Sequence, residues 1–449
     1  MSFENWKTFI LSVLIVSSLL LTLIIWNYQP NFDPASPDES VIDAQLDGVQ
    51  LTKKDTAQPS TVLYHINNEP QGLVDKSEQE ILYNEILDFS LYDFQRVVNF
   101  DKEIYQQNQN LVEIIFPTAF PTEFIADMFT VNNDMLIPNG SFDRIYILLS
   151  GDNQDNQIIF ERSNTGAAIG AHVQNFNEAI ENLNSYLDDH TFMPYYVLEN
   201  HLGNSIYVPS EVNVVARQFS YLQLDIYSFR NLLFNTPSAV KSSFMTGGTT
   251  VYTDGVRRMT KDKYSIDFTN PLNDSKTIEE EIEGYQLLNQ VHNYINTHNG
   301  FTFSEPFQYF LSDLSTTANT NLIKYTLMYN GYPIYASEVI STISVHWHNQ
   351  NIYQYTHPLI QLHDYRGPGQ AIDSLLNPES VLTILKGESY EDIAIYDVSI
   401  GYKVEEQTGG QGQVYELIPT WYIKGVSGWQ ELRIPDKKMG GDDHAMGTN

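Results

Sequence analysis

Residues 9–26 read FILSVLIVSSLLLTLIIW, without a charge, a proline or a glycine, and with Thr8 they reach the roughly 20 residues a helix needs to cross a bilayer. A helix satisfies every backbone N–H and C=O within the segment, which is what hydrocarbon demands of a single span. The run ends in Trp26, Asn27 and Tyr28, not in the small residues of a signal-peptide cleavage site, so residues 8–26 read as an uncleaved anchor. Trp6 and Trp26 would stand about 30 Å apart on a helix rising 1.5 Å per residue, one indole at each interface. Lys7 and the terminal amine precede the span, and no Lys or Arg follows before Lys53. That asymmetry places residues 1–7 in the cytoplasm and the bulk of the chain outside the cell membrane. Within the span, Ser18 and Thr22 form a small-xxx-small pair, the candidate contact to another helix.

The exterior part is acidic. With 24 Lys+Arg against 56 Asp+Glu the formal charge is −32, which repels phosphate backbones and argues against nucleic acid as a partner. Arg257 and Arg258 are the one visible basic cluster. The absence of cysteine excludes disulfides, thiolate zinc sites, iron–sulfur clusters, cysteine nucleophiles and a lipoprotein anchor. The 29 Tyr and 23 Phe supply far more large apolar surface than a disordered chain carries.

Residues 27–45, with three prolines among acidic and amide residues, read as an extended stalk. The pattern beyond it gives an α+β chain of about three exterior domains. In the first, 46–200, strands are expected at 61–66 and 111–117, and a helix at 77–89 opens on a Ser77/Glu80 capping box. A hairpin (144–150 with 157–163) turns through GDNQDN, and a helix follows from His172 to near Leu187. The central domain, 201–365, shows a helix near 227–234 and a hairpin from 249–255 to 264–271. Its long helix, marked by Ile278, Ile282, Tyr285, Leu288, Val291 and Ile295 and ended by Gly300, precedes an antiparallel meander that begins at FTFSEPF (301–307). The last domain, 366–435, repeats the order: helices at AIDSLL and SVLTILKG, then strands in 394–404, 414–425 and 429–435. The last two domains are thus helix-plus-antiparallel-meander units, and 436–449 read as a disordered tail.

Candidate chemistry is sparse. His346 and His348 in H-x-H, with His357 and His363, could chelate an ion from one face of a strand, but H-x-H also arises on solvent-facing edge strands, and no metal is assigned. The 151–157 turn lacks the D-x-D-x-D-G spacing of a calcium loop and has Ser163 where a bidentate Glu belongs. Ser238 and Lys241 match S-x-x-K, yet no K-T-G accompanies them. H-E-x-x-H, G-x-S-x-G and P-loop patterns are absent, so no catalytic residue and no cofactor is assigned.

Four segments in order, LLLTLIIWNYQPNFDP (19–34), QPSTVLYH (58–65), VYTDGVRRM (251–259) with FTNP (268–271), and LIPTWYIKG (417–425), resemble the YycH (WalH) family. The resemblance implies a non-enzymatic, single-pass regulator of the WalK/YycG sensor histidine kinase, which controls cell-wall metabolism in Gram-positive bacteria. It further implies a complex with a YycI-type partner, with kinase contact made largely through the transmembrane helices. Separately, YTLMYNGYPIYASE and the strand carrying Leu417, Pro419 and Trp421 are similar to PepSY-type modules. They suggest the alternative of an exterior module that binds or inhibits a secreted peptidase or wall enzyme.

Overall fold

The computed structural model describes residues 45–98, 100, 110–132, 135–149, 157–273, 282–317, 320–336, 340–348, 350–369, 375–388, 390, 393–407 and 414–433, with Lys7, residues 11–19 and Thr22 near the start. Residues 11–19 and Thr22 are helical and exposed. Among the described residues no helix is long and apolar enough to cross a membrane. Trp6, Trp26 and the other ends of the expected span, the stalk at 27–44, the 151–156 turn, Ile278 and the 436–449 tail lie outside the described residues.

The chain enters the fold by docking on what sequence analysis assigned to the central domain. Leu46 N donates to His298 O (2.8 Å) and Val49 bridges Phe301, while Leu51 O accepts from Asn296 Nδ2 (2.7 Å) and meets His292 Nε2 at 2.8 Å. A Cβ at Gly48 would stand 2.4 Å from Asn299 O, so only glycine permits this approach.

The first sheet follows. It is built from α1 (Lys53–Thr56), β1 (Thr61–Ile66), β2 (Glu69–Leu73), α2 (Lys76–Leu87), β3 (Ser90–Val97), β4 (Leu111–Pro121), α3 (Ile125–Met128), β5 (Thr130–Val131), β6 (Ser141–Leu148), β7 (Gln157–Arg162), β8 (Ala167–Val173), α4 (Phe176–Asp189), β9 (Phe192–Glu199) and β10 (Ser205–Pro209). The strand order is β10-β9-β2-β1-β4-β6-β7-β8-β3-β5. The hairpin expected on either side of GDNQDN forms as β6 and β7. Helix α2 starts earlier than its Ser77 signal: Asp75 is the cap, its carboxylate accepting from Ser77 N at 2.9 Å. An ionised carboxylate is the stronger acceptor for the orphan N–H groups of a first turn. Residues 172–173 extend β8, and left-handed Asn175 (φ 56°) separates it from α4.

The second half comprises β11 (Arg217–Gln223), α5 (Ile226–Leu233), β12 (Lys241–Phe244), β13 (Thr250–Thr253), β14 (Arg258–Lys261), β15 (Ser265–Thr269), α6 (Gly284–Thr297), β16 (Phe307–Thr317), β17 (Thr320–Tyr329), β18 (Tyr332–Pro333), β19 (Thr342–His348), β20 (Asn351–Pro358), β21 (Ile360–Pro368), α7 (Pro378–Leu385), β22 (Asp397–Gln407), β23 (Val414–Gly425) and β24 (Gly428–Glu431). A nine-stranded sheet runs β12-β13-β14-β15-β20-β19-β17-β16 with β18 on β17, and a five-stranded sheet runs β21-β11-β23-β22 with β24 on β23. Helix α6 buries Leu287, Leu288, Val291, His292 and Ile295 against β16, β17 and β19. The expected 249–271 hairpin is a three-strand meander, because polar Arg258–Lys261 inserts as β14. The meander proper starts at Phe307, since 302–306 carry no strand.

Two sequence boundaries fall inside this architecture. Residues 205–209 form β10 of the first sheet, and residue 365 lies within β21, which pairs β11 in the last sheet. The crossing occurs at Leu359, whose N donates to Tyr264 O (2.7 Å) and whose O accepts from Leu224 N (2.9 Å). The last helix-plus-strands unit therefore completes its sheet with β11 and β21. One apolar core runs from Leu46 to Leu417 through all three sheets, and a second core gathers Val381, Ile400, Trp421 and Ile423 with Ile206 and Val208 of β10.

Candidate functional site

A trough opens where the three sheets meet. Its wide end, a cavity of about 970 Å³, lies between the start of α2, residues 303–309, the β17–β18 turn and Arg217. It narrows past Gln58, Lys76, Gly331 and Tyr332 into a chamber lined by Tyr195, Tyr207, Tyr335 and Trp429. Beyond Pro117 and Asp397 it widens again, to about 390 Å³.

Lys76 sits at the constriction because the turn beside it is Asn330–Gly331, with φ of 49° and 77°, the left-handed pair that a two-residue hairpin prefers. A Cβ at Gly331 would already meet the Lys76 Cβ at 3.0 Å. Lys76 Nζ donates to Gln79 Oε1 (2.8 Å) and Ser60 O (3.3 Å), and among the described residues no carboxylate pairs with it. Burial lowers its pKa to about 8, since desolvation penalises the ammonium. Asp55, Asp75, Glu80 and Glu305 line the same wide end, where the Asp75 carboxylate is taken up by Ser77 N and Oγ at the cap of α2, so the trough offers charges of both signs and aromatic walls.

Behind the chamber wall lies a buried ionic cluster that spacing did not reveal. Glu113 on β4 is fully buried. One carboxylate oxygen pairs with Arg144 Nη1 and accepts from Tyr146 Oη (3.2 Å). The other meets His65 Nε2 and accepts from Tyr207 Oη, both at 2.8 Å. Tyr146 also reaches Glu161 Oε2 at 2.8 Å, and Arg144 Nη2 donates to Ser205 O at 2.8 Å. Burial by itself would lower Arg144, but the Glu113 charge and hydrogen bond together with Tyr146 and Tyr207 outweigh it and raise the guanidinium. Burial and then Glu113 raise Tyr207 as well. Five steps of about 4.8 Å separate β10 from β6 in a flat sheet, yet Ser205 and Arg144 touch, so the sheet curls its β10 edge back over its own face. The single signal available beforehand was Glu113 interrupting the apolar run LVEIIF.

The residues singled out from sequence lie apart. His346 and His348 stay two residues apart on β19, beside a bulge that takes Tyr353 of β20 out of register. His357 is buried with its ring nitrogens against Pro358 O (2.7 Å) and Gly300 O (2.8 Å), and His363, on the next sheet, meets Ser304 Oγ at 3.2 Å. Among the described residues no three His, Asp or Glu side chains converge as metal ligands. Ser238 lies in a single 3-10 turn and Lys241 begins β12, so no helix turn brings them together. Ser18 and Thr22 are exposed, and the Thr22 hydroxyl donates to Ser18 O at 2.9 Å.

Comparison with known proteins covers nearly the whole chain. A family model described as the YycH protein, N-terminal domain, matches residues 4–190, and one described as the YycH protein, C-terminal domain, matches residues 203–438. The two-component system WalR/WalK regulatory protein YycH of Bacillus subtilis (strain 168) is 21% identical over 446 residues, covering 94% of both chains. The crystal structure of YycH from Bacillus subtilis superposes with a TM-score of 0.65 at 14% identity, covering 86% of this chain and 98% of that one. The segments quoted for the resemblance map, where described beyond residue 45, to β1 and the residues before it, the β13–β14 hairpin, the end of β15 and the greater part of β23 to its end.

Proposed function

The chain belongs to the YycH family, and from that premise we propose that it is a membrane-anchored, extracytoplasmic, non-enzymatic regulator of a WalK/YycG-type sensor histidine kinase. It acts with a YycI-type partner in the control of cell-wall metabolism. The observation that carries this is the end-to-end match to a relative named as a WalR/WalK regulatory protein, over 94% of each chain. The apolar run at 8–26 supplies the anchor, and the exterior sheets hold the complex together. Ser18 and Thr22 lie one turn apart, and the Thr22 hydroxyl is satisfied within its own helix. The pair therefore serves another span by permitting close approach, since a hydroxyl already bonded internally adds little as a donor.

Membrane co-purification with the kinase tests the proposal, comparing the full chain with one whose residues 8–26 are replaced by an unrelated span. Capture by the native chain and its loss on replacement is the expected pair of results. A native chain that captures neither kinase nor YycI-type protein would overturn the assignment and direct attention to secreted peptidases and wall enzymes. Replacing Ser18 and Thr22 together by leucine is expected to weaken kinase capture several-fold, because two γ-branched side chains hold the helices apart. Unchanged capture and unchanged kinase output would remove the pair from the contact.

A further inference from the structure

The outermost strands of the nine-stranded sheet form a tongue with little beneath it. In β12, β13 and β14 only Met259 is buried. Cross-strand rows place Ser242, Tyr252 and Met259 on the face that turns to the core, and Phe244, Thr250 and Lys261 on the same face nearer the tip. Phe244 should be covered there, yet it is 77% exposed, and Met245 beside it is 49% exposed. The strand overhangs the body. Large apolar side chains clustered at an overhang mark a surface that another protein covers.

Among the described residues β12 pairs only with β13, which places it at the edge of its sheet. Met245 N donates to Thr249 O at 2.8 Å, in register with the Lys241↔Thr253 and Ser243↔Val251 pairs. Bonded and non-bonded pairs alternate along an antiparallel ladder, so the backbone groups of Ser242 and Phe244 point outward. Such an edge accepts an added strand. Its charge selects the partner. Asp254 and Asp262 spend their carboxylates on their own turns, whereas Arg257, Arg258 and Lys261 have no carboxylate partner among the described residues. A cationic tongue on a chain of charge −32 disfavours pairing with its own copy, tongue against tongue, and favours an acidic strand.

We propose that β12 docks an acidic extended strand from the exterior domain of the YycI-type partner, with an apolar side chain covering Phe244 and a carboxylate facing Arg258. This rests on the regulatory complex proposed above, and it assigns the exterior contact to a stated edge. Proline at an edge position whose N–H points outward blocks strand addition without removing a ladder bond. The test is therefore co-purification of the full-length YycI-type protein by the full chain and by its Ser242→Pro and Arg258→Glu variants, with melting temperatures measured alongside. Ser242→Pro is expected to lower capture at least tenfold at an unchanged melting temperature. Arg258→Glu is expected to lower it several-fold and to flatten its salt dependence. Capture by Ser242→Pro equal to the native chain would overturn the docking edge while leaving the regulatory complex intact. Native capture that fails altogether would overturn both, and a self-association abolished by Ser242→Pro would assign the edge to a second copy instead.

Discussion

Glu113→Ala is expected to lower the stability of the first sheet by about 3–5 kcal/mol, the usual cost of breaking a buried ion pair from one side. The substitution strands the Arg144 guanidinium, which is 6% exposed, and removes the acceptor of the Tyr207 and His65 contacts. Four strands lose a shared ligand at once, since β1, β4, β6 and β10 all meet at this carboxylate. The Ser205 contact that holds β10 over the sheet face depends on the same guanidinium. β10 forms one wall of the tyrosine-lined chamber through Tyr207 and Pro209, so the loss propagates to the trough. Chemical denaturation followed by circular dichroism measures it, and a Glu113→Ala midpoint equal to that of the native chain would sink the claim. The apolar replacement Glu113→Leu with Arg144→Met is expected to recover most of the stability, because it removes both desolvation costs together.

Local structure was legible where one period ruled a segment. The 3.6-residue spacing of Leu288, Val291 and Ile295 and the turn residues between the two apolar runs of the β6/β7 hairpin both returned the observed elements. What escaped depended on partners distant in sequence. Arg258–Lys261 carries no apolar alternation, and it is a strand because β13 and β15 flank it. The expected boundary at 365 falls within a strand because β21 leaves one sheet for another at Leu359, and no local pattern marks a change of partner. Glu113 merely interrupts an apolar run in the sequence, since its ion-pair partner Arg144 arrives 31 residues later and the His65 ring that meets it stands 48 residues earlier. The H-x-H spacing kept His346 and His348 near each other on β19, but no third ligand joins them among the described residues, and His357 and His363 bond elsewhere. The basic pair Arg257 and Arg258 was visible at once, but its setting beside an overhanging phenylalanine required the sheet order.

Acidification is expected to destabilise the central sheet, with His298 as its most sensitive point. His298 is buried at the end of α6 between Tyr294 and Tyr355, and burial, then the neighbouring His357, lower its pKa to about 3. Burial also lowers His292, His346 and His357. A histidine whose folded pKa lies below its ordinary 6.5 binds fewer protons in the native than in the unfolded state between those two values, so stability rises with pH across that window. The native state is therefore unpenalised above pH 6.5 and loses stability as pH falls toward 3. For His298 alone this amounts to on the order of 3 kcal/mol between pH 7 and pH 4. The backbone carbonyl of His298 accepts the Leu46 N–H that seats residues 45–51 on the sheet, so protonation loosens the point where the chain enters its exterior fold. His298→Phe keeps the ring and removes the titration. Melting temperatures at pH 7 and pH 4 are expected to differ less for that variant than for the native chain, the carboxylate contribution being common to both. Equal losses in the two proteins would place the acid sensitivity elsewhere, whereas a smaller loss ties the seating of the entry segment to the protonation of one buried imidazole.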